Sequence, residues 1–263
     1  MSPFAALVVG LLQGLLEWLP ISSQGNLVML MMTLLGLELS QAFRTSVYIH
    51  VGTGLAALLY FREDILGIAR RDSEHDRLLF RFLFVGTAIT GIVGFPLFLL
   101  ARGASRFGEI LLALTGVALI MTGMIQKGAG SGGTKTARSL GTHEGIILGV
   151  AQGFSAIPGL SRSGLTSSVL LVRRYSGVEA FRISFLMSVP AVFAAALGLL
   201  LIEGLPPLDS GLAVAVAASF LSALLSIDLL LKLARRIRFW GLCVALGLLA
   251  LLPQVFSLLH IRP

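Results

Sequence analysis

The sequence predicts an all-α polytopic membrane protein with six transmembrane helices and two re-entrant helical hairpins arranged as an inverted repeat. Three observations carry this. First, 56% of the 263 residues are hydrophobic, the mean hydropathy is +0.93 and only 13% are charged, against about 25% charged in a soluble domain. Second, apolar runs of helix length recur along the whole chain, and two of them are interrupted by Pro, Gly and Ser. Third, the two interrupted runs are similar to each other. GLLQGLLEWLPISSQG at 10–25 and GVAQGFSAIPGLSRSG at 149–164 both carry Gln-Gly followed by Pro and paired serines.

Composition bounds the rest. The expected organisation is a single integral membrane domain over 1–263, with one repeat at about 4–126 and the other at about 141–259. The single Cys243 lies in an apolar run, which excludes a disulfide framework and a cysteine metal site. The net charge of +7 reads as basic cytoplasmic loops beside anionic lipid and not as a nucleic-acid surface. The opening MSPFAALVVG lacks the basic start of a cleavable signal peptide. Oligomeric state is left open, with a homodimer as one candidate.

Taken in order, residues 4–19 are apolar but short for a span, which needs about 20 residues. Pro20, Ser22, Ser23 and Gly25 break the pattern, and it resumes at 27–37. This is the first hairpin. Residues 46–61 form a first full span, and 62–78 a charged loop. Spans at 79–100 and 109–126 are joined by a loop with Arg102 and Arg106. Their glycines, at 86–94 and 108–123, predict close helix contacts. Residues 127–140 read as a flexible Gly/Ser/Lys linker. Residues 141–157 form a short apolar helix ending at Pro158-Gly159. Its return arm is 163–173, and spans at 182–202, 211–232 and 240–259 follow. Phe43, Val51 and Ala56-Ala57 recur as Phe181, Val189 and Ala194-Ala195, one residue out of register with the hairpin match.

Loop charge fixes an orientation. If each hairpin returns to its side of entry, the loops 62–81, 127–140, 173–182 and 232–238 share one side and hold 15 of the 20 basic residues. The other side holds 4, namely Arg44, Arg102, Arg106 and Arg262. The basic side faces the cytoplasm, which puts both termini outside. Broken helices in opposed copies place a binding site near the midplane.

That site is read from 152–168 and 13–26. Gly159, Ser161, Ser163, Gly164 and Thr166 start a helix whose free N–H groups make an anion site, and Arg162 adds a fixed cationic fork. An arginine deep in an apolar segment is costly and marks function. Gln13 and Glu17 share one helix face, and Ser22, Ser23 and Asn26 follow at once. Glu17 is the one acid of an apolar segment, so it must be paired, protonated or metal-bound. The set suits phosphate chemistry: Arg162 and the 159–164 backbone clamp the anion, a hydroxyl attacks, and the carboxylate acts as base or holds a divalent cation. The other polar residues read as structure. His50 is expected to be packed and hydrogen-bonded, and Asp228 to pair with Lys232. Glu144 would support the start of the second hairpin, and Arg173 and Arg174 would anchor the cytoplasmic face. Trp18 is either a lipid contact or an interfacial anchor.

QGLLEWLPISSQGN, YIHVGTGLAALLYFRED, QGFSAIPGLSRSGLTSS and FRISFLMSVPA together make the chain similar, from about 7 to 252, to the undecaprenyl-diphosphate phosphatases of the bacitracin-resistance type. The resemblance implies hydrolysis of a polyprenyl diphosphate to the monophosphate at the outer face of the plasma membrane, which recycles the carrier lipid for cell-envelope glycans. It implies two hairpins in inverted repeats. It makes Gln13 and Glu17 the acidic-motif pair that serves a divalent cation, Mg²⁺ or Ca²⁺. Ser22 and Ser23 fall in the catalytic loop, with Ser23 a candidate nucleophile. Ser161, Arg162, Ser163 and Thr166 would bind the diphosphate. The family usually carries histidine where this chain has Asn26, and an amide cannot take a proton or attack. The alternative reading is a polyprenyl-phosphate translocase without hydrolase activity.

Overall fold

The computed structural model describes residues 1–103, 108–129, 133–157, 159–204, 206, 209–234 and 240–258. Pro158, Arg106, Arg235, Arg236, Arg238 and Arg262 lie outside the described residues. Among the described residues eleven α-helices run in order: α1 (Pro3–Leu16), α2 (Ser23–Leu35), α3 (Leu39–Tyr60), α4 (Arg62–Arg70), α5 (Glu74–Gly103), α6 (Gly108–Ala129), α7 (Thr142–Phe154), α8 (Arg162–Val172), α9 (Gly177–Glu203), α10 (Ser210–Leu233) and α11 (Trp240–Leu258). Among the described residues the only strand-like contact is one bridge between Lys135 and Tyr175. The chain is a multi-pass membrane protein in its make-up: stretches of α5, α9 and α10 are each long and apolar enough to cross a bilayer.

Each interrupted run is a pair of short helices. α1 starts with Ser2 accepting from the Ala5 N–H and Pro3 in the first turn. It ends before Trp18, and Ser22 then takes a left-handed φ of 59° so that α2 can start at Ser23. α8 starts where Ser161 Oγ accepts from the Gly164 N–H at 3.1 Å. Gly159 sits at φ 96° against the backbone of Thr115, where a side chain would meet both strain and clash.

The packing is crosswise. α1, the first helix of the first repeat, lies on α10, the penultimate helix of the second. α7, its counterpart, lies on α5. Both contacts run on small residues. A Cβ at Gly149 would lie 2.7 Å from the Gly86 carbonyl oxygen, and one at Gly10 would lie 2.8 Å from Ala218 Cβ. α6 and α11 meet at Gly116 and Gly247 in the same manner. Close backbone approach replaces the water-driven term that is missing between helices in lipid.

Several expectations are corrected. The charged loop at 62–78 contains α4, with Glu63 and Asp64 in its first turn and Arg70 in its last, an arrangement that suits the helix dipole. α3 begins at Leu39 and α5 at Glu74, several residues before the apolar runs. The described part of the 127–140 segment is docked. Lys135 N–H donates to Arg174 O at 3.1 Å, Ala137 N–H donates to Glu179 at 2.8 Å, and residues 137–139 form a 3₁₀ turn. Trp18 faces neither lipid nor the interface: it is 1% exposed, packs on Phe185 and donates to the Ala223 carbonyl at 3.2 Å. Arg173 is more than a surface anchor, since it pairs with Glu144 at 2.9 Å. The Asp228–Lys232 pair is present at 2.5 Å.

Candidate active site

The two helix breaks meet at one cavity of about 310 Å³. Its polar end is walled by Glu17, Ser22, Ser23, Ser161, Arg162 and Ser163, together with His50 of α3. The N-termini of α2 and α8 therefore reach the same space, and two sets of N–H groups favour an anion there. Phe43, Val47, Phe95, Phe98, Leu199 and Ile202 line the apolar end.

Glu17 stands at the centre, just past the end of α1 and almost fully buried. One carboxylate oxygen is ion-paired with the Arg162 guanidinium. The other, Oε2, accepts from Gln13 Nε2 at 2.8 Å and Ser23 Oγ at 2.7 Å, and lies 3.1 Å from His50 Nε2. Burying a charge is tolerable only with such saturation. Arg162 also donates to the Ser184 carbonyl at 3.3 Å. Two of its five N–H groups are thus engaged, and the others remain for a ligand.

The remaining predicted residues divide. Ser163 Oγ donates to the Leu19 carbonyl at 2.9 Å, which ties the second break to the first. Thr166 is buried behind the wall. Its hydroxyl bonds the Arg162 carbonyl at 2.8 Å and the Ser184 hydroxyl at 2.6 Å, so it supports Arg162. Gln13, Gly159 and Gly164 also stand behind the wall, where they set Glu17, the turn and the helix cap. Asn26 is corrected outright. It is exposed, and its amide donates to the Ile21 and Ser22 carbonyls at 2.8 and 3.2 Å. It braces the loop and is no part of the cavity wall.

The expected cation site at Gln13 and Glu17 is not supported by the donors present. Glu17 is the one carboxylate of the wall and both its oxygens are occupied, one by a guanidinium. Gln13 turns its N–H₂ group toward it, and its buried Oε1, which has no hydrogen-bond partner among the described residues, stands behind the cavity wall. Among the described residues no three His, Cys, Asp or Glu side chains gather as ligands.

His50, read from sequence as a packed and hydrogen-bonded residue, is hydrogen-bonded and also borders the cavity, as do Gln152, Ser155 and Thr90, of which Gln152 donates to Thr90 at 3.1 Å at the cavity edge. The signal for Gln152 was the internal repeat, which aligns it with Gln13.

A family model described as "Bacitracin resistance protein BacA" matches residues 6–251. The chain belongs to the BacA family. It is 42% identical over 260 residues to an undecaprenyl-diphosphatase of Methanococcoides burtonii, covering 95% of this chain and 97% of the relative. Similar proteins of the same name from Methanothrix thermoacetophila and Haloarcula marismortui are 39% and 34% identical, covering 97% and 94% of this chain and 100% and 96% of the relatives. The matched residues include the start of α8, the segment that delivers Arg162 to Glu17.

Proposed function

We propose that this protein hydrolyses undecaprenyl diphosphate to the monophosphate and phosphate. The observation that carries this is the Glu17 carboxylate, held by Arg162 on one oxygen and by the Ser23 hydroxyl on the other, between two helix N-termini. The distal phosphate sits on the free N–H groups of Arg162 and of the α2 and α8 N-termini. The lipid tail leaves along the apolar wall. Ser23 Oγ is already aimed at Glu17, which takes its proton as Ser23 attacks phosphorus. Water then releases phosphate from the phosphoserine. The relatives are named for hydrolysis, so the translocase alternative has no observation in its favour.

The architecture that suits this reading has six spans (α3, α5, α6, α9, α10 and α11) and two hairpins (α1–α2 and α7–α8) in inverted repeats. The crosswise pairing of α1 with α10 and α7 with α5 supports it. The cavity draws on α3, α5 and α9 near the ends remote from the arginine-rich 62–78 and 173–182 segments. With the basic side cytoplasmic, it opens to the outer face. A divalent cation enters this reading on the diphosphate, whose oxygens are its natural ligands.

The test is phosphate release by purified protein from C15 and C55 diphosphates, with and without a chelator. Release from both, abolished in Ser23→Ala, is expected. An inactive wild type would overturn the reading.

A further inference from the structure

His50 of α3 borders the cavity beside Glu17. His50 Nδ1 lies 2.6 Å from the Ser46 carbonyl oxygen, one turn back on α3. A carbonyl oxygen only accepts, so Nδ1 carries a proton. The ring is thereby fixed with Nε2 facing Glu17 Oε2 at 3.1 Å. Two lone pairs do not meet at that distance, so one proton lies between Nε2 and Oε2. That same Oε2 accepts the Ser23 hydroxyl at 2.7 Å. The charged groups that face His50 are Glu17 from α1 and Arg162 from α8. Among the described residues no other imidazole borders the cavity.

We propose that His50 is a positioning residue for phosphate release: through the proton on Nε2 it holds Glu17 Oε2 as the acceptor for the proton of Ser23. This rests on the phosphatase reading above. As the bond from Ser23 Oγ to phosphorus forms, the bridging P–O bond breaks and its electron pair leaves on the lipid monophosphate. The Ser23 proton passes to Glu17, and the Glu17–His50 pair then holds two protons. When water attacks the phosphoserine, the P–Oγ bond breaks and Oγ recovers a proton from Glu17. The attacking water keeps one proton on the phosphate and gives the other to the pair, from which one proton leaves to solvent in each turnover. Asn26 cannot serve here, because it neither accepts a proton nor reaches the cavity.

The test measures release from a C15 diphosphate by wild type, His50→Gln and His50→Ala, from about pH 5 to pH 9. His50→Gln is expected to lose about 100-fold in kcat with KM within about threefold, and to lose the limb of the wild-type pH profile set by the pair. Added imidazole is expected to restore part of the rate of His50→Ala. A His50→Gln enzyme with wild-type kcat and pH profile overturns the inference and leaves the phosphatase reading standing. If His50→Gln does not remain monodisperse in detergent, the imidazole arm decides: a rise in rate upholds the proposal, and no rise overturns it. An inactive wild type overturns both readings together.

Discussion

At the scale of single residues, the site is built around one carboxylate. Glu17 fixes an arginine, a serine, a histidine and a glutamine at once. Removing it leaves Arg162 as an uncompensated buried cation, a change that costs about 3–5 kcal/mol in a buried pair. Glu17→Gln keeps the shape and removes the charge, so it is expected to fold and to lose more than about 100-fold in kcat. Arg162→Lys should fail nearly as badly as Arg162→Ala, because an ammonium cannot span Glu17, the Ser184 carbonyl and a phosphate together. Steady-state phosphate release checks both. Calorimetry checks the metal: substrate-free protein is expected to bind neither Mg²⁺ nor Ca²⁺ tightly, and a Kd below about 10 μM, or about −7 kcal/mol, would overturn that. Glu17 and Arg162 were legible in the sequence because a charge in an apolar run needs a reason. His50 was not, because its reason is a partner on another helix, and spacing along α3 carries no trace of it. Asn26 misled for the opposite cause: its neighbours in sequence line the cavity while its own side chain turns back to the loop.

At the scale of elements, the helix breaks and the glycine faces were readable, and the boundaries were not. Hydropathy locates the part of a helix that lies in lipid. It is silent on the polar turns that continue α3 and α5 beyond it, and on a short amphipathic helix such as α4. It also could not place Trp18, which is buried by a contact with α9 and α10. The α7–α8 pair is tied together by Glu144 of α7 and Arg173 at the end of α8. Burial raises the Glu144 pKa, but the hydrogen bond and charge of Arg173 outweigh it and hold the carboxyl below its usual range. A lowered carboxyl stabilises the fold above its unfolded value, near 4.5, and that contribution fades as pH falls through the folded value. Wild type is thus expected to lose melting temperature on acidification below that point faster than Glu144→Gln does. At neutral pH the two should differ by roughly 0.5–1 kcal/mol, as befits a partly exposed pair. The α5–α7 contact is less forgiving. Gly149→Leu would drive a side chain into the Gly86 carbonyl and Ile89, and overpacking of this kind costs about 1–3 kcal/mol. The expected result is a lower melting temperature in detergent.

At the scale of the whole molecule, the proposed topology can be tested with a single-cysteine chain, since Cys243 is buried and should stay silent to a polar maleimide. Cysteine at Glu38 is expected to react in intact cells, and cysteine at Asp72 only after permeabilisation. The reverse pattern would invert the orientation. The crosswise packing of α1 on α10 also bears on how the protein is made. The helix that carries Gln13 and leads into Glu17 leaves the ribosome well before α10, and the surface that seats it is finished only at Leu233. Until then the small-residue face of α1 has no mate, and the acid that must meet Arg162 waits without one. Nascent or prematurely terminated chains would therefore carry Glu17 and Ser23 without Arg162. A gene cut between the two repeats should yield fragments that are inert apart and competent when co-expressed.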